Sequence, residues 1–208
     1  MAKNPQRPPQ KLTLAEHDVV EVRRPLWRVH TIVGPHALRW NELRHYGPAR
    51  TMRWDPHPPP PAEHPDYAVS YAALDPVTVF AEVFQLPRAI IVAPDRALAG
   101  WVPTRALRLL DLTGDWALRN GASASLFAAP KSTTRAWALA ICDRWPDLDG
   151  LLVPSTMTMK PMVVLFAQAA NSFPVRPNFT RTLHDPSARH IIDWSAATLG
   201  WPVSGPET

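Results

Sequence analysis

The chain has one cysteine, Cys142, in 208 residues, so no disulfide closes within it. Cys142 ends the run Ala136-Trp137-Ala138-Leu139-Ala140-Ile141, which reads as a helix face, where a buried structural thiol is expected rather than a nucleophile. No apolar run reaches the ~18 residues of a membrane span. The first nine residues lack the apolar core of a secretory signal, so the expected location is cytoplasmic. Glycine is scarce, with 8 residues, and none are grouped as a phosphate loop. Gly114, Gly121 and Gly150 read as turns. His57, His64, His184 and His190 lack zinc-ligand spacing with a cysteine or carboxylate partner, so no metal is expected. Long Lys/Arg blocks, a helix-turn-helix signature and zinc-finger spacing are all absent. The net charge of +4 comes from scattered arginines. That pattern suits anionic small molecules or an acidic partner, and no direct nucleic-acid binding or membrane contact is expected.

What the chain does have is an apolar fraction of 46%, 25 prolines and nine tryptophans. The apolar fraction supports a real core, and the length suits one domain. Residues 1–15 read as a disordered basic tail and 16–208 as the domain. Six prolines fall between positions 56 and 65, which excludes helix or central strand and predicts a stiff, exposed insertion. Its flanks carry the motif residues, so it is no domain boundary.

Leu26 to His30 alternates as a strand, and Ala37 to Leu43 suits a short helix. Tyr67 to Ala73 reads as a strand that leads into a helix, with Asp75 as N-cap and Pro76 in the first turn. Val77, Phe80, Ala81 and Phe84 then form a core-facing stripe at i, i+3, i+4 and i+7. Short strands follow at 88–92, 100–103, 106–112, 151–153 and 163–167. Helices follow at 133–145 and 187–199. Strands and helices mix without a β-α-β rhythm, which predicts an α+β fold.

Within this frame Glu82 needs an explanation. It is the one ionised side chain between Asp75 and Arg88, and a charge in apolar surroundings is costly. Helical geometry puts it off the centre of the apolar stripe, facing an edge or cleft. Arg53-Trp54-Asp55 precedes it, and Tyr71 stands eleven residues before it.

Taken in order, Leu26-Trp27-Arg28-Val29, Arg53-Trp54-Asp55, Tyr71-Ala72-Ala73, Ala81-Glu82-Val83, Gly150-Leu151-Leu152-Val153-Pro154-Ser155 and Val164-Leu165-Phe166 resemble the RES domain, over roughly residues 26–167. The resemblance implies a bacterial toxin of a toxin–antitoxin pair that degrades NAD+ by phosphorolysis or hydrolysis of the nicotinamide–ribose bond. It implies a fold similar to that of ADP-ribosyltransferase toxins, and an Xre-type helix-turn-helix antitoxin that covers the active site. NAD+ is then substrate and not cofactor, with inorganic phosphate as co-substrate if cleavage is phosphorolytic. The family arginine, tyrosine, glutamate and serine fall on Arg53, Tyr71, Glu82 and Ser155, and Arg28 matches a further arginine. Two positions depart from the pattern. Thr51-Met52 replaces a small pair before the arginine, and Val163 stands where an asparagine is common.

The chemistry fits these residue types. Losing nicotinamide leaves an oxocarbenium-like ribose, which a carboxylate stabilises more than it stabilises the ground state. That is the expected role of Glu82. Arg53 and Arg28 offer guanidinium forks for a pyrophosphate. Tyr71 offers a face and a hydroxyl to hold the nicotinamide or ribose. Ser155 suits a hydrogen bond to substrate and lacks a nucleophile-elbow context. The expected catalytic set is therefore Arg53, Tyr71 and Glu82, with Arg28, Arg53, Tyr71 and Ser155 binding substrate. Other readings are an inactive binding module of the same fold, and an ADP-ribosyltransferase acting on a macromolecule. A homo-oligomer is compatible with all three.

Overall fold

The computed structural model describes residues 3–205. In chain order the first elements are β1 (Val19–Val22), β2 (Leu26–Thr31), β3 (Tyr46–Gly47), β4 (Ala62–Glu63) and β5 (Ser70–Ala73). Helix α1 (Pro76–Val83) follows, then β6 (Ile90–Ile91), β7 (Arg96–Trp101) and β8 (Leu107–Asp111). The second half holds α2 (Trp116–Arg119), α3 (Lys131–Arg144), β9 (Gly150–Pro154), β10 (Pro161–Leu165), β11 (Phe179–Thr182), α4 (Arg189–Leu199) and β12 (Val203–Ser204). Among the described residues eight strands form one mixed sheet, in the order β1-β8-β9-β10-β5-β2-β7-β11. Neighbours run antiparallel except β8 and β9. The expected α+β class is borne out.

Register sorts the sheet into two faces. Trp27 pairs with Ala73 and Gly100, and Tyr71 pairs with Val164, which pairs with Leu151. These residues share a face, since side chains alternate along a strand. That face carries two cores. One packs Leu110, Trp116, Trp137, Leu151 and Val164 beneath α2 and α3. The other packs Phe80, Phe84, Leu98 and Ile192 between α1 and α4. The opposite face buries Leu26, Ala72, Trp101, Leu107 and Val163. Cys142 is buried, and desolvation pushes its thiol up to about 12, in line with a structural role.

Local signals explain the helix that matters most. Asp75 caps α1, with its carboxylate accepting from the Thr78 N–H at 3.0 Å, and Pro76 opens the first turn. At the start of β9, Gly150 takes φ +148°, and a Cβ there would stand 1.9 Å from the Val164 carbonyl oxygen. Only glycine lets β9 and β10 approach so closely.

Four expectations are corrected. Residues 3–15 are not a free tail; residues 1–2 lie outside the described range. Leu12 is buried, the Trp137 indole donates to Pro5 O at 3.0 Å, and the Trp116 indole donates to Thr13 O at 2.8 Å. Two buried indole N–H groups need acceptors, and this segment supplies them. Nor is the 56–65 segment wholly exposed. Pro56 and His57 are buried at its start, and β4 pairs with β3 near its end. Residues 37–43 form no helix, because their backbone groups serve β2. Leu38 N–H bonds Thr31 O, and the carbonyls of Arg39, Trp40 and Glu42 face Arg28. Finally, the strand expected at 100–103 runs from Arg96 to Trp101.

Candidate functional site

The end of β5 passes directly into α1, and β9, one strand away across β10, ends at Pro154 at the same edge of the sheet. Ser155 thus leaves β9 where α1 begins to cross. The two meet. Ser155 Oγ donates to Glu82 Oε1 at 2.6 Å. The direction is fixed by the serine's other contacts: its oxygen accepts the N–H groups of Met157 at 3.0 Å and Thr158 at 3.1 Å. A hydroxyl has one proton, and here it goes to the carboxylate. Ser155 is fully buried, while Glu82 is half-buried. Thr156 Oγ1 stands 3.5 Å from the same oxygen, too far to add much. Oε2 makes no hydrogen bond among the described residues.

The loop that carries Ser155 is tied to the same helix a second time. Thr158 Oγ1 and Thr78 Oγ1 lie 3.0 Å apart, and Thr78 Oγ1 donates to Asp75 Oδ2 at 2.8 Å. Lys160 Nζ stands 3.8 Å from Asp75 Oδ1. Within the loop Met159, whose N–H bonds the Ser155 carbonyl at 3.0 Å, adopts φ +60°, unusual for a side chain without a local polar bond. Threonines of α1 and the loop therefore hold the serine under the glutamate.

The other sequence-predicted residues make their hydrogen bonds to partners outside this pair. The Tyr71 hydroxyl donates to the Arg53 carbonyl at 3.0 Å. Burial pushes the Tyr71 phenol well above its ordinary pKa, with nearby Asp55 adding to the rise. The Arg53 guanidinium donates to the Ala129 carbonyl. These two residues do meet, but through backbone oxygens, and no hydrogen bond joins them to Glu82 or Ser155 among the described residues. Arg28 lies on the opposite face of the sheet from Tyr71, paired with Ala99. Its Nη1 donates to the carbonyls of Glu42 at 2.8 Å, Trp40 at 3.2 Å and Arg39 at 3.4 Å. Burial lowers this guanidinium to about 10, against the pull of Glu42. Arg28 is engaged in holding a loop. Val163 is a fully buried core residue on that same opposite face.

Sequence reading passed over a further cluster beside Arg53. Asp55 is fully buried and accepts from Arg44 Nη2 at 2.9 Å, Ala49 N–H at 2.6 Å and His57 Nδ1. Burial alone would raise its pKa, but the hydrogen bond from His57, the Arg44 charge and the Ala49 N–H hold it at about 2. Trp54 turns the chain inward with φ +56°, a strained value for a bulky residue that its burial holds in place. Gly47 leaves room for the imidazole; a Cβ there would stand 2.4 Å from His57 Cγ. The available signal was Asp55 and His57 two positions apart between a tryptophan and prolines, a polar pair that needs a common partner.

Among the described residues no group of His, Cys, Asp and Glu is placed to hold a metal ion, and no helix is long and apolar enough to cross a membrane.

Comparison with known proteins identifies the family and the fold. The family model of the RES domain matches residues 25–185, most of the chain. No curated protein matches the sequence. The fold is similar to that of a chain in the crystal structure of the M. tuberculosis MbcT–MbcA toxin–antitoxin complex. The TM-score is 0.53 at 16% identity, covering 84% of this chain and 92% of that one.

Proposed function

From the premise that this chain belongs to the RES domain family, we propose that it is the toxin of a toxin–antitoxin pair and cleaves the nicotinamide–ribose bond of NAD+. The observation that carries this reading is the Glu82–Ser155 pair, a half-buried carboxylate with one oxygen fixed at 2.6 Å and the other unpartnered. Nicotinamide leaves with the bonding electron pair, and C1 of the ribose becomes cationic. Glu82 stabilises that charge, an interaction worth more in the transition state than before it. Ser155 sets the carboxylate's orientation. Phosphate or water then adds to C1. Arg53 holds the Ala129 carbonyl just before α3 and keeps Nη2 free among the described residues for an anionic group of the substrate.

The structural neighbour comes from a toxin–antitoxin complex, and the proposed partner is a helix-turn-helix antitoxin of Xre type. Exposed apolar residues flank the pair in sequence, Val83 and Leu86 after Glu82 and Met159 after Ser155. They suit an apolar segment that covers the site.

The test is nicotinamide release from NAD+ by the purified chain, with and without inorganic phosphate, followed by mass analysis of the sugar product. Release is expected, and its loss in Glu82→Gln assigns the carboxylate. Full turnover in Glu82→Gln removes the assignment. A second reading, a binding module without turnover, is favoured by one observation. The Tyr71 hydroxyl and an Arg53 nitrogen are both engaged by backbone carbonyls. Calorimetry that shows NAD+ binding with no nicotinamide release selects it.

A further inference from the structure

The loop between β9 and β10 brings more than Ser155 to the carboxylate of Glu82. Residues 156–159 form a closed turn. The Ser155 N–H donates to Lys160 O at 2.9 Å, and the Met159 N–H donates to Ser155 O at 3.0 Å. The turn is also braced from inside, because Ser155 Oγ accepts the N–H groups of Met157 and Thr158. Its backbone is set before any ligand arrives, which is what positioning a reacting group requires.

The side chains of this loop differ in what they have left to offer. A serine hydroxyl has one proton and two lone pairs. Ser155 gives its proton to Glu82 Oε1 and fills its lone pairs with the two N–H groups. It is 0% exposed, so it has neither a spare bond nor a surface for a substrate. Thr158 Oγ1 meets Thr78 Oγ1 at 3.0 Å and accepts the Lys160 N–H at 3.3 Å. Met157 and Met159 carry thioethers, which accept weakly and donate nothing. Thr156 stands apart. It is exposed, and its Oγ1 has a single contact among the described residues, the 3.5 Å approach to Glu82 Oε1. That distance is too long for a strong hydrogen bond. Its β-branched side chain is stiff about the first torsion, so the hydroxyl does not wander far. An uncommitted hydroxyl on a closed turn therefore sits beside the carboxylate that the reaction uses.

A ligand hydroxyl completes this arrangement. With its proton it bonds the open oxygen of Glu82, and with a lone pair it takes the proton of Thr156. In NAD+ the hydroxyl nearest the breaking bond is on the ribose carbon next to C1. We propose, on the footing that NAD+ is cleaved at Glu82, that Thr156 is the loop residue that touches substrate. It donates to this hydroxyl and selects a ribosyl over a deoxyribosyl group, while Ser155 acts only through Glu82.

Steady-state nicotinamide release by the full chain tests this with two substrates, NAD+ and an analogue whose nicotinamide ribose lacks that hydroxyl. Thr156→Val keeps the shape of the side chain and removes its hydroxyl. It is expected to lower kcat/KM for NAD+ about tenfold and to leave kcat/KM for the analogue unchanged, the signature of a direct pairwise contact. Thr156→Ser is expected to restore most of the loss. Ser155→Ala is expected to lower kcat on both substrates alike. Unchanged kcat/KM for NAD+ in Thr156→Val overturns the contact and leaves NAD+ cleavage standing. Equal loss on both substrates also overturns it, since a merely structural effect does not tell them apart. If the parent chain releases no nicotinamide, NAD+ cleavage itself falls, and calorimetry on the same proteins decides the contact. NAD+ binding about tenfold weaker in Thr156→Val retains it, and equal or absent binding overturns it.

Discussion

Glu82 and Asp55 are both carboxylates beside motif residues, yet their surroundings oppose each other. Asp55 is fully buried, with four donors from Arg44, Ala49 and His57 on its two oxygens. Glu82 is half-buried, with one strong hydrogen bond and one unpartnered oxygen. A carboxylate whose lone pairs are all engaged stabilises the fold and has nothing left for a substrate. One that is oriented but incompletely paired is prepared for a charge that arrives later. The contrast separates structural acid from candidate catalyst on geometry alone.

Replacement of each acid sharpens that contrast. Glu82→Gln should reduce nicotinamide release by about 10²–10³-fold, the usual cost of a lost electrostatic stabiliser, with the melting temperature unchanged. Asp55→Asn should do the reverse. Its pKa of about 2, against an ordinary 3.8, corresponds to a stabilisation on the order of 2 kcal/mol at neutral pH. Calorimetric melting should show a drop of ~4–8 °C. If Asp55→Asn melts like the parent but Glu82→Gln does not, the roles are exchanged.

Acid titration breaks the comparison from another side. A folded-state pKa below the ordinary value stabilises the protein above about 3.8 and loses that stability as pH falls towards 2. Denaturant melts across this window should show a slope that Asp55→Asn flattens and Glu82→Gln leaves intact. The smallest effects concern the loop. Ser155→Ala should reduce kcat about tenfold, as expected when a charge-assisted hydrogen bond worth ~1.5–3 kcal/mol only orients the acid. Thr78→Val, which breaks the tie to Thr158, should change kcat less still.

The sequence made some of this legible and hid the rest. Asp75-Pro76 and the stripe of Val77, Phe80, Ala81 and Phe84 announced α1, because caps and periodicity are local properties. Glu82 was visible as an isolated charge on that helix. Its contact with Ser155, 73 positions away, was implied only by the ordered family pattern. Arg28, Arg53 and Tyr71 matched that pattern by type, but residue type does not say which face of a strand a side chain takes or which carbonyl it meets. Asp55 and His57 were missed because their function is mutual, and the search for histidine partners looked for metal spacing. The proline count predicted exposure that holds for only part of the segment, since Pro56 and His57 are buried before Pro59, Pro60 and Pro61 emerge.

The indole contacts of Trp116 and Trp137 with Thr13 and Pro5 have a practical side. A shortened chain covering only 25–185, the span the family shares, would strip two large aromatic groups of their acceptors at one end. At the other it would lose α4, which roofs Phe80 and Phe84. The unit of inheritance and the unit of folding are not the same length here, and protein preparations should be cut to the second.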